Sequence, residues 1–172
     1  MSEESSDWKK SLFRPSITFS TILFFIGCWI VILSIINIVL GAYSPGNKVL
    51  WIGFLTDGVS NTSDMTFVID DGIFLILGIL SVSLGVMGIN SIKEGGFMKW
   101  ALEIHKGMIF RSLLSAENGL TRSIGSWMLV FGIVFYVIWS LCYNTWVDPG
   151  VYSICISLIA FGLGLHIEGN ER

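Results

Sequence analysis

Four uncharged, apolar runs divide the chain: Ile17 to Tyr43, Gly72 to Ile92, Ser123 to Val147 and Pro149 to Leu165. Roughly 17 to 25 such residues in a helix cross about 30 Å of hydrocarbon, so each run predicts one transmembrane helix. The first is the longest, about 40 Å at 1.5 Å per residue, and is expected to tilt or project from the bilayer. Between them lie an outer loop (44–71) and a cytoplasmic loop (93–122), with short tails at 1–16 and 166–172. The expected fold is all-α: an integral membrane protein whose four spans (17–43, 72–92, 123–147 and 149–165) form two hairpins in a domain covering 17–165.

Small residues recur at helical spacing in two of these runs. In the second, Gly78, Ser81, Gly85 and Gly88 follow one another at three, four and three residues, which puts them on one stripe of a helix. In the fourth, Ser153, Ser157, Ala160 and Gly164 are spaced four, three and four. Lipid supplies no hydrophobic drive between helices, so small residues that let backbones approach are the expected contact surfaces. The third run is bulky instead, with Trp127, Phe131, Phe135, Tyr136 and Trp139. A bulky helix followed by an acid-started small-residue helix thus occurs twice, the pattern of a weak internal duplication or of convergent span composition. Two-span copies would share one orientation and be related by an axis along the membrane normal.

The loops add three expectations. Asp70 and Asp71 before Gly72, and Asp148 before Pro149 and Gly150, place carboxylates at helix starts, with Asp71 and Asp148 as the N-caps. Adjacent Asp70 and Asp71 diverge by about 100° on a helix and make no ready cation dyad. The outer loop has two β-like runs, Val49 to Phe54 and Thr66 to Ile69, for which Trp51 and Phe54 dipping into the interface is preferred to a surface hairpin. Asn61, Thr62 and Ser63 form a glycosylation triplet. In the cytoplasmic loop, Phe97 to Leu114 aligns Phe97, Ala101, Ile104 and Met108 opposite Lys99, Glu103 and Lys106, an amphipathic helix for the inner interface.

Composition agrees with the pattern: 53% hydrophobic and 13% charged over 172 residues, a balance no water-soluble domain of this length hides. Charge then sets the orientation. Lys9, Lys10, Arg14, Lys93, Lys99, Lys106, Arg111, Arg122 and Arg172 fall on one side and Lys48 alone on the other, so both termini are expected in the cytoplasm, with a plasma membrane as the expected setting. The first run exceeds a secretory h-region and reads as a retained anchor. Asp57, Asp64, Asp70, Asp71 and Asp148 make the opposite face acidic, chiefly because outer loops lack basic residues.

Candidate chemistry is sparse. None of the four runs contains an ionisable carboxylate, Lys, Arg or His, the usual marks of proton relays and ion coupling. His105 and His166 are far apart in sequence and suggest no metal site, and an enzyme built on His105, Glu103 and His166 is disfavoured. Cys142 and Cys155 near the outer ends of the last two spans are the candidate disulfide, the simpler reading being small buried hydrophobes, as for Cys28. No basic patch suggests nucleic acid, no phosphate loop or nucleophile elbow appears, and no cofactor is expected. The expectation is a non-enzymatic protein acting through helix contacts, as accessory subunit of a membrane complex or as self-associating scaffold. Its partners would be the lipid bilayer and either further copies or other membrane subunits. The alternative is a small oligomeric channel or facilitator for a neutral or cationic solute.

Overall fold

The chain was described with a computed structural model, covering residues 16–56, 58, 60–106, 113 and 119–171. It is mostly helical (78%). In order come α1 (Ile17–Val39), β1 (Lys48–Val49), α2 (Trp51–Thr56), β2 (Asn61–Thr62), α3 (Ile69–Ile92), α4 (Gly96–Glu103), a 3-10 turn (Ile104–Lys106), α5 (Leu120–Tyr143) and α6 (Pro149–Glu171). Helices α1, α3, α5 and the stretch Pro149–His166 of α6 are long and apolar enough to cross a membrane. The residues fall into two compact units, one holding 16–35 and 68–102, the other 36–67 and the described part of 103–171.

In the first unit α1 and α3 run antiparallel, with Gly27 opposite Ser81 and Val82 and Gly85 opposite Phe24. Helix α3 starts at Ile69, three residues earlier than its apolar run. Asp71 is therefore not the N-cap; it sits at the third helical position, where its Oδ2 accepts from the Val68 N–H at 3.1 Å. After Ile92 the chain turns through Gly95 and Gly96, both at positive φ (90° and 67°), where a side chain would be strained. Asn90 Oδ1 accepts the Phe97 N–H, and the rings of Phe97 and Trp100 rest on Phe24 at 5.0 and 5.7 Å between centroids. Helix α4 ends at Glu103, where the chain tightens into the 3-10 turn, so the expected amphipathic helix over 97–114 is interrupted there. Its expected members from 107 onward, Leu113 excepted, lie outside the described residues.

The second unit is built on the α5–α6 hairpin. Buried positions on α5, among them Gly125, Leu129, Gly132, Tyr136 and Ser140, recur at helical spacing, and Gly125, Leu129 and Gly132 meet Cys155, Leu158 and Gly162 on α6. Helix α5 ends at Asn144 in the left-handed conformation (φ 50°), which asparagine tolerates, so Thr145 to Val147 belong to a turn and not to the span. Asp148 precedes α6 and its Oδ1 accepts from Gly150 (2.8 Å) and Val151 (3.2 Å), with Pro149 supplying a first helical residue that needs no acceptor. Helix α6 continues through Glu171, past the expected end at Leu165.

The loop after α1, through Phe67, belongs to this unit. Helix α1 stops at Val39, short of Tyr43, because Gly41 is left-handed (φ 85°) and the side chain of Asn37 takes over the bonding. Its Oδ1 accepts from Ala42 (3.2 Å) and Val49 (2.7 Å), and its Nδ2 donates to the Val49 carbonyl (2.9 Å). Strands β1 and β2 pair antiparallel, Lys48 with Thr62 and Val49 with Asn61. The second strand therefore lies in the segment read as turn, and Thr66 to Ile69 forms none. Trp51 is 3% exposed, buried within the protein. The Ala42 carbonyl accepts from Trp146 (2.8 Å) and Val147 (3.1 Å), and Thr145 donates to the Tyr43 carbonyl (2.8 Å), which puts the end of α1 beside the α5–α6 turn.

Candidate functional site

The two small-residue stripes end up in opposite surroundings. On α3, Gly78, Gly85 and Gly88 are buried and Ser81 is half-buried. A Cβ at Gly85 would lie 2.7 Å from the Phe24 nitrogen, and one at Gly78 would lie 2.9 Å from the γ2 methyls of Ile30 and Val31. These glycines are thus the condition for α1 and α3 to touch backbone to backbone. The contact is reciprocal: a Cβ at Gly27 would meet the Val82 nitrogen at 2.6 Å and the Ser81 Cβ at 2.9 Å. Gly27 is the partner the sequence pattern passed over, because a single glycine has no spacing to announce it. The Ser81 hydroxyl turns back to the Leu77 carbonyl of its own helix (2.8 Å), so the stripe is held by packing and not by interhelical bonds.

On α6, Ser153, Ser157, Ala160 and Gly164 are all exposed, and nothing lies within 4 Å of a Cβ built on Gly164. Ser153 and Ser157 bond back along the helix to Pro149 and Ser153 (2.8 Å each). The face toward α5 is a different one. There Gly125 and Gly162 oppose each other so closely that a Cβ on either would lie 2.8 Å from the other's carbonyl oxygen. Beside this crossing Ser126 and His166 Nε2 are 2.7 Å apart, a bond joining the two helices. The outward stripe instead borders an open apolar cavity of about 440 Å³, lined by Ile156, Ser157, Ala160, Phe161, Gly164 and Leu165.

Nearer the other end of the hairpin, Tyr136 and Tyr152 both donate to the Trp146 carbonyl (2.6 and 2.7 Å), their rings 5.6 Å apart. The candidate disulfide is not formed. Cys142 and Cys155 are free thiols, one exposed and one buried. Cys155 lies level with Gly132, its carbonyl 3.4 Å from a Cβ built there. Cys142 is ten residues further along α5, about 15 Å at 1.5 Å per residue, beyond the reach of a disulfide. Among the described residues no group of three or more His, Cys, Asp or Glu side chains could hold a metal ion. Glu103 is exposed, and the His105 side chain is outside the described residues.

The chain is of the multi-pass helical class by the length and apolar character of four of its helices. No protein-family model, curated protein or solved structure matches it.

Proposed function

We propose that the protein works without catalysis, through helix contacts within a membrane, as an accessory subunit of a complex or as a self-associating scaffold. The observation that supports this is the unequal fate of the two stripes. The α3 stripe is consumed by α1, whereas the α6 stripe is exposed along an apolar hollow of about 440 Å³. A helix surface of small residues left exposed among the described residues of its unit suits the backbone of another helix. In this reading both termini are cytoplasmic, following the basic residues. Helix α4 then lies along the inner interface, its Phe97 and Trp100 against Phe24.

The test compares two leucines. Gly164→Leu is expected to leave insertion and folding intact while reducing the oligomer, or the co-purifying partner, seen on native electrophoresis after gentle extraction. Gly85→Leu is expected to disturb the α1–α3 pairing and lower the yield of folded protein. Unchanged assembly with Gly164→Leu and with Ala160→Leu would overturn the proposal.

A further inference from the structure

Helix α2 is short and uncharged, and its level relative to the end of α1 is fixed. Val49, two residues before it, bonds through both its N–H (2.7 Å) and its carbonyl (2.9 Å) to the Asn37 side chain. Asn37 belongs to the last turn of α1, which ends at Val39. A chain gains at most about 3.6 Å per residue, so α2 begins within about 7 Å of the level of that turn. The zone between hydrocarbon and water is itself about 5–7 Å thick on each side of a bilayer. Where the last turn of α1 lies at the edge of the hydrocarbon, α2 therefore starts at interfacial depth.

The two faces of α2 differ. Trp51 is buried in the loop, whereas Ile52 and Leu55, three apart on the other face, are 56% and 74% exposed. Neither its first nor its last turn carries a charge. Phe67, at the far end of the same loop, is 63% exposed. Thr56, the last residue of α2, is exposed and polar but turns its hydroxyl back to the Ile52 carbonyl (2.9 Å), while the exposed polar residues Asn61, Ser63, Asp64 and Thr66 belong to the return strand and the turn after it. Large aliphatic side chains held at this level, on an uncharged helix turn, match the boundary between headgroups and acyl chains.

We infer that Ile52 and Leu55 form a keel that inserts into the leaflet at the C-terminal end of α1, the partner being a phospholipid surface recognised by its apolar layer and not by headgroup charge. This rests on the reading that α1 crosses a membrane. The keel keeps the outer loop flat on the bilayer while Asn37 fixes its register to the span.

The experiment uses full-length protein in phosphatidylcholine vesicles, with Cys28→Ala, Cys142→Ser and Cys155→Ala as background. One nitroxide is placed in turn at Ile52→Cys, Leu55→Cys, Asn61→Cys and Ile79→Cys, and relaxation by oxygen is compared with relaxation by a water-soluble nickel chelate. Oxygen should dominate at 52, 55 and 79 and the chelate at 61, unchanged when phosphatidylglycerol is added. Ile79 reports on the span, so oxygen dominance there with chelate dominance at 52 and 55 overturns the keel alone, whereas chelate dominance at 79 overturns the membrane reading. Positions 52 and 55 closed to both agents would mean that protein covers them, which also overturns the keel. As a label-free check, a lipid-borne diazirine should mark Trp51–Thr56 of the unmodified protein at least several-fold above 61–66, and equal marking would count against the keel.

Discussion

Asn37 shows how one side chain can decide where a long apolar helix ends. An amide offers one acceptor and two donors in a plane, and here they serve Ala42 and both backbone groups of Val49 at full burial. Asn37→Leu keeps the volume but leaves those groups without the amide, each costing about 1–3 kcal/mol when buried. The variant is expected to lose about 2–5 kcal/mol in a denaturant titration in detergent, with exchange of the Val49 amide rising in step; a loss below 1 kcal/mol would show that the backbone finds other partners. Asp64 illustrates a weaker device in the same loop. The Thr66 N–H at 2.9 Å, the Thr66 hydroxyl and the Lys48 ammonium hold its carboxyl below the ordinary value. A carboxyl with a lowered folded value stabilises the turn above its unfolded pKa and stops doing so as pH falls through the folded one. Protection of the Thr66 amide should therefore persist through pH 4–7 and decline only below the ordinary carboxylate range, and Asp64→Asn should abolish that dependence.

At the level of elements, the four long apolar helices were legible because an uncharged run of sufficient length admits few readings, while their ends were not. Glycine or asparagine in the left-handed conformation at Gly41 and Asn144, and Asp71 reaching back to Val68, moved the boundaries by three or four residues. Those are local bonds, invisible to hydropathy. The stripes were legible as spacing, but spacing does not say which helix covers them, and on α6 the packing face passes instead through Val151, Cys155 and Gly162. The burial of Trp51 at 3% exposure was not legible, because hydropathy does not say whether an aromatic side chain is covered by protein. The cap at Asp148 gives the element its prediction. Asp148→Ala removes the acceptor for Gly150 and Val151 and should cost about 1 kcal/mol, with little effect on assembly. Gly125→Val, by contrast, drives a methyl into the Gly162 carbonyl and should separate the inner half of the hairpin, read as loss of the Ser126–His166 bond in the imidazole nitrogen spectrum.

At the scale of the whole molecule, one feature limits what the protein does alone. The bonds from Ala42 and Tyr43 to the α5–α6 turn hold the outer loop and that turn together at one end of their unit. Helix α6 is thereby held at that end and again at the Gly125–Gly162 crossing, with its small-residue face still uncovered. A helix fixed in this way cannot rotate to hide that face without breaking the hairpin, and no described residue of its own unit covers it. If another copy covers it, a cysteine at Ser157 or Ala160 should crosslink between chains in native membranes under mild oxidation, and Ile133→Cys, exposed on α5, should not. Crosslinking to a distinct protein at fixed ratio would mark an accessory subunit, and its function would be read from that partner. No crosslink from either α6 position, together with a monomeric mass after gentle extraction, would mean that lipid alone covers the face, and the contact proposal would fall.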